Sequence, residues 1–274
     1  MEPTAWIWGL LACAVISGFS RQKLLTIVLG VLSIAAALLQ ARLSIIALSS
    51  VVVGFAVAYF TAKQEGKWRY AGLTFMFIWS LALFAHAIPG FDNLKVLDRV
   101  YASTDSIPFT MYLNLDKPLV FLGLLLAYPA LLGQTKSCNL KVIGLIVVGL
   151  LSLLPIAAGL GALKFSLSTP HWLWLFMFNN LLFTCVAEEA LFRGFIQQGL
   201  SQRFGWVTGL IVASLLFGLA HFAGGMLLVV FAALAGLGYG LVFHLTGRLW
   251  AAVLVHFIFN LTHLIFFTYP MLAR

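Results

Sequence analysis

The sequence predicts an all-α fold, a polytopic transmembrane bundle of about eight to ten helices, on three observations. First, 62% of the 274 residues are hydrophobic, only 9% are charged, and the mean hydropathy is +1.06, too apolar for a core wrapped in a solvated surface. Second, apolar runs long enough to cross a hydrocarbon layer, roughly 17 to 25 residues at helical rise, recur along the whole chain with short polar breaks. Third, the runs are too long and unbroken for the alternating strands of a barrel, and unpaired backbone cannot face lipid, which leaves helices.

Taken in order, spans are expected near 5–19, 24–40, 43–62, 70–89, 118–133, 141–163, 171–187, 205–222, 226–246 and 250–269. The first run, Ala5 to Phe19, is followed rather than preceded by basic residues, Arg21 and Lys23, so it reads as a first transmembrane helix and not as a cleaved signal peptide. The one long break, Gly90 to Lys117, carries Asp92, Lys95, Asp98, Arg99, Asp105 and Asp116 and reads as a solvated loop between two groups of helices. Gly236, Gly238 and Gly240 let neighbouring backbones approach closely and need no functional explanation.

The formal net charge of +8 does not point to nucleic acid, because the Lys and Arg residues are spread over the breaks between apolar runs, as topology signals are. Basic residues are densest in alternate breaks: Arg21 and Lys23, then Lys63, Lys67 and Arg69, then Lys136 and Lys141. The positive-inside rule places these breaks in the cytoplasm and both termini outside. Cys13, Cys138 and Cys185 are far apart, which indicates neither a zinc knuckle nor a disulfide framework.

The acidic residues up to Asp116 are expected in terminal or loop positions. Beyond it the only carboxylates are the adjacent pair Glu188 and Glu189, apolar on both sides in Phe183-Thr-Cys-Val-Ala-Glu188-Glu189-Ala-Leu-Phe-Arg193. Each charge at such a depth costs a few kcal/mol. Glu189 and Arg193 are i and i+4, in the order that favours an ion pair, which gives Glu189 a structural role. Glu188 is turned about 100° away, leaving a poorly solvated carboxylate available as a general base. The competing reading places Glu188 in interfacial water.

Further polar groups within apolar runs are His221, in Phe217-Gly-Leu-Ala-His221, and His256 with Asn260, in His256-Phe-Ile-Phe-Asn260. His256 and Asn260 share a helical face. A lone buried histidine is usually a packing residue; a carboxylate, two histidines and an asparagine on three successive apolar segments can converge in a bundle. His86, in a run without acidic partners, and His171 and His244, near helix ends, are weaker candidates. His263 is expected in a packing or interfacial role, and Asn179 and Asn180 are candidates to line a polar cavity. There is no His-Glu-x-x-His helix and no Gly-x-Ser-x-Gly elbow.

At these residues the chain resembles the CAAX-protease and bacteriocin-processing (Abi) family of intramembrane proteases. The family's three motifs, Glu-Glu-x-x-x-Arg, Phe-x-x-x-His and His-x-x-x-Asn, are matched in order by Glu188-Glu189-Ala-Leu-Phe-Arg193, Phe217-Gly-Leu-Ala-His221 and His256-Phe-Ile-Phe-Asn260. Each motif is weak alone; the ordered set in a polytopic chain is specific. The resemblance covers roughly residues 170 to 270, which divides the chain into N-terminal helices, 1–140, and a CAAX-protease-like core, 141–274.

The resemblance implies that Glu188 activates water with His221 assisting, while His256 and Asn260 stabilise the oxyanion of a tetrahedral intermediate. Glu188, His221 and His256 also make a His₂Glu set for a divalent metal such as zinc with an open water position. The family carries the label metalloprotease, and a metal-free glutamate mechanism is also proposed for it. The implied substrate is a membrane-embedded peptide or protein, and the short, loop-poor chain suggests the bacterial inner membrane. Two other readings are a non-catalytic scaffold or immunity protein, and a proton-coupled transporter using the buried Glu and His as a relay.

Overall fold

Apolar runs become helices in the computed structural model, which describes residues 2–273. In chain order these are α1 Trp6–Phe19, α2 Lys23–Leu39, α3 Ile45–Thr61, α4 Gly66–Phe84, α5 Asp116–Ala127 and α6 Leu140–Gly159. They continue with α7 Leu173–Phe204, α8 Trp206–Leu219, α9 Met226–Thr246 and α10 Leu249–Phe266. Helix starts are set locally. The Ser44 hydroxyl accepts from the Ala47 N–H ahead of α3, and the Asn139 side chain accepts from the Lys141 N–H ahead of α6. Gly247, at φ 61°, ends α9 in the left-handed conformation that glycine adopts without strain.

By length and composition α6, α7, α9 and α10 are able to cross a membrane, while α1, α2, α3 and α8 are apolar but shorter. The chain is an integral membrane protein of all-α class.

Two expectations are corrected. Gly90 to Lys117 is not all loop: Leu94–Val100 (β1) pairs with Phe109–Leu113 (β2) in a two-stranded sheet. Its polar composition conceals the apolar residues it buries, Leu97 and Met111, which pack with Trp172, Phe176 and Leu264. The span expected at 171–187 runs on to Phe204 as a single helix, because two segments, Asn180–Cys185 and Ala190–Gln197, widen into π-helix on either side of Val186–Glu189 instead of ending it.

The contacts divide the chain into two interleaved units, residues 1–95, 112–132 and 182–191 in the first and 96–111, 133–181 and 192–274 in the second. In the first unit, α1 packs on α2, and α3 packs on both α4 and α5. The Trp79 indole fills the space opposite Gly54 and Gly123, and its Nε1 donates to the Ser50 hydroxyl at 3.2 Å.

The expectation of a solvated Asp116 and an unpartnered His86 is also overturned. Asp116 is buried, 1% exposed. Its carboxylate lies 2.5 Å from His86 Nδ1 and accepts from the Lys117 N–H at 2.9 Å and from Asn93 at 3.4 Å. Asn93 in turn accepts from the Leu115 N–H at 2.7 Å. These bonds tie the end of α4 and the approach to β1 to the start of α5, a pairing of residues too far apart in sequence for local pattern to reveal.

In the second unit, α9 packs against α6, α8 and α10. The glycines of α9 make this possible: a Cβ at Gly236 would stand 3.1 Å from the Arg193 guanidinium, and one at Gly240 would stand 2.6 Å from the Gln197 amide oxygen. Those two side chains, one turn apart, donate to backbone carbonyls one turn apart, Arg193 to Gly236 at 3.0 Å and Gln197 to Gly240 at 2.9 Å. One donor of each side chain, Nη2 of Arg193 and Nε2 of Gln197, thereby finds a helix carbonyl as acceptor.

Candidate functional site

Four elements of the second unit, the 192–204 part of α7, α8, α9 and α10, bring polar side chains to one aromatic ring, that of Phe217. Phe217 is 2% exposed and sits one turn before His221 on α8. Its ring centroid lies 4.8 Å from the His221 imidazole and 5.7 Å from the His256 imidazole, the latter edge-on at 85°. The Arg193 guanidinium lies 4.4 Å from the same ring and 5.3 Å from that of Tyr239, a cation–π arrangement in a fully buried place. The histidine just past the end of α8, the histidine of α10 and the arginine of α7 therefore share one packing centre.

His221 is half-buried, at the point where α8 gives way to the short turn Phe222–Gly224. Its Nδ1 is 2.8 Å from the Phe217 carbonyl. A carbonyl only accepts, so Nδ1 carries the proton and Nε2 is left as the basic nitrogen of the neutral ring. That tautomer suits proton transfer at Nε2, or ligation there.

His256 is 4% exposed and stacks face to face on Tyr239, with centroids 4.5 Å apart and planes 15° from parallel. Asn260, one turn further along α10, is half-buried, and its amide Nδ2 donates to Asn180 Oδ1 at 3.2 Å. Asn180 opens the first π segment of α7, a type of local distortion that recurs at functional sites. Asn180, read from sequence only as a cavity-lining candidate, is thus a direct partner of Asn260.

Glu188 and Glu189 lie on the α-helical turn Val186–Glu189 between the two π segments, in the 182–191 stretch that packs into the first unit. Glu189 is 0% exposed and Glu188 is half-buried. The two adjacent carboxylates accordingly differ in access to water. Arg193 falls within the second π segment. Its hydrogen bond to Gly236 and its aromatic neighbours Phe217 and Tyr239 are among its contacts in the second unit.

Among the described residues, no group of three or more His, Cys, Asp or Glu side chains gathers closely enough to hold a metal ion. Two further histidines, His263 and His244, have packing partners. His263 Nε2 is 3.2 Å from the Thr268 carbonyl with its ring against Tyr269, and His244 stacks on Trp206 at 4.5 Å.

Tyr239 is the residue that sequence reading missed. Its one signal is a bulky aromatic placed among the glycines of Gly236-Leu-Gly-Tyr239-Gly, where small residues make room for a neighbouring helix.

Residues 170–262 match the family described as type II CAAX prenyl endopeptidase Rce1-like. No curated protein and no solved structure gives a significant match. The matched segment contains Glu188, Glu189, Arg193, Phe217, His221, Tyr239, His256 and Asn260.

Proposed function

We propose, from the match of residues 170–262 to the type II CAAX prenyl endopeptidase Rce1-like family, that this chain is a multi-pass endopeptidase of a bacterial plasma membrane that cleaves a membrane-associated peptide or protein. The observation that carries the reading is the meeting of His221 and His256, from two motifs far apart in sequence, at the ring of Phe217 within the matched segment.

In this reading the Glu188 carboxylate takes a proton from water as the oxygen attacks the scissile carbonyl carbon. The carbonyl π pair moves to oxygen, and donors on His256 and Asn260 hold the resulting oxyanion. As the tetrahedral intermediate collapses, the C–N bond breaks and the proton on Glu188 passes to the departing amine, giving a carboxylic acid and an amine. Nε2 of His221, the ring nitrogen not turned to the Phe217 carbonyl, assists in steering the water. The half-burial of Glu188, beside a Glu189 with no exposure, supports giving the reactive role to the first carboxylate and the structural role to the second. Every step uses side chains of the chain itself.

The test is to incubate purified protein and its Glu188→Ala variant with a membrane-peptide library, with and without chelator, and to read products by mass spectrometry. Cleavage by the native protein that disappears in a folded variant is the expected result, and chelator sensitivity decides whether a metal takes part. Absence of cleavage by the native protein overturns the proposal.

A further inference from the structure

We infer that Tyr239 is the positioning residue for His256, holding the imidazole plane in the one orientation that aims its N–H at an oxyanion. The inference rests on the protease reading above and adds a residue to which no motif assigns a role.

Left to itself, the imidazole on α10 has a broad torsion about Cβ–Cγ, as flat rings on sp² centres do. In the second unit that freedom is removed from two sides. The Tyr239 ring lies parallel under the imidazole at 4.5 Å and 15°, and Phe217 approaches edge-on at 85°. Turning the imidazole about its bond would drive an edge into the face of Tyr239.

Tyr239 cannot yield to such a turn. It is 1% exposed and packs edge-on against Phe217 at 6.0 Å and against Phe259 at 6.2 Å. The Arg193 guanidinium lies 5.3 Å from its ring and is itself tied to the Gly236 carbonyl on the same helix, α9. The chain of contact therefore runs from the first motif's arginine, through Tyr239, to the third motif's histidine. Hydrogen bonds weaken steeply once the donor angle falls below about 120°. A ring free to rotate would offer its N–H to the oxyanion only part of the time.

A planar ring at position 239 is what the inference requires; the hydroxyl is not. The experiment compares Tyr239→Phe, Tyr239→Leu and Tyr239→Met with native protein in the peptide-cleavage assay, separating kcat from KM, with thermal unfolding as the check on folding. Met fills much of the volume without a flat face, so it serves if Leu fails to fold. Losing one oxyanion donor lowers kcat by about 100- to 1,000-fold, and loosening one without deleting it is expected to cost about 10- to 100-fold. Expected, then, is a kcat fall of that order in folded Tyr239→Leu or Tyr239→Met, a KM within about twofold, and near-native kcat in Tyr239→Phe. A native kcat in the folded aliphatic variants, or an equal loss in Tyr239→Phe, overturns the inference. Glu188→Ala is assayed alongside: cleavage that survives it sinks the protease mechanism and not the stack.

Discussion

Gly218 offers the sharpest test of how the helices that carry the histidines are fitted together. It lies on α8, between Phe217 and the last turn before His221, at the crossing with α9. A Cβ added there would stand 2.6 Å from the Val229 carbonyl oxygen and 2.7 Å from Ala233 Cβ. Unstrained carbon contacts are about 3.5 to 4.0 Å, so the added methyl is roughly 1 Å too close to atoms that cannot rotate away. The two helices must part, and overpacking of this kind costs about 1–3 kcal/mol. At about 2–4 °C per kcal/mol for a chain of comparable size, Gly218→Ala is expected to lower the unfolding midpoint by about 2–12 °C in detergent. A shift near 1 Å at a reacting group also costs about 100-fold in rate, so cleavage should fall further than stability alone explains. Gly144 and Gly149 on α6 are the controls. A Cβ at either meets nothing within 4 Å, and alanine there should leave the midpoint unchanged or raise it. A Gly218→Ala midpoint equal to native, or a Gly144→Ala midpoint that falls as far, would refute the steric argument.

Other perturbations separate charge from geometry. Arg193→Lys keeps a positive charge but not the planar group that spans Phe217 and Tyr239 while donating to the Gly236 carbonyl. It is expected to destabilise by about 1–3 kcal/mol, read as a lower midpoint in thermal unfolding, and a native midpoint would show that charge alone suffices. Asp116→Ala removes the acceptor for the Lys117 N–H and the partner of His86. It is expected to cost about 1–3 kcal/mol in the same assay, with Asp116→Asn, which keeps an acceptor oxygen, losing less; equal losses would place the effect in the charge.

Much of this protein was legible from residues alone. The helices were readable because hydropathy and run length are local properties, and lipid admits few ways to satisfy a backbone. The site candidates were readable for a related reason. Glu188, Glu189, Arg193, His221, His256 and Asn260 stand out because polar groups are costly where everything around them is apolar. The π segments were not legible, because widening a turn at Asn180 or Ala190 depends on what packs outside the helix. Nor was the β1–β2 hairpin, in which Leu97 and Met111 share an apolar cluster with Trp172, Phe176 and Leu264, far along the chain.

The sequence by itself determined that this chain belongs in a membrane, that it is helical, and which few polar side chains stand within its apolar runs as candidates. Only the tertiary structure decided that Phe217 lies between two histidines, that Asp116 is buried on His86 and Asn93, that Asn180 holds Asn260, and that Tyr239 lies beneath His256. The physical reason is range. Burial preference and helix formation are set within a few turns of chain, whereas a stacking face or a hydrogen-bond partner is chosen by whichever distant residue the packing brings within about 3 to 5 Å.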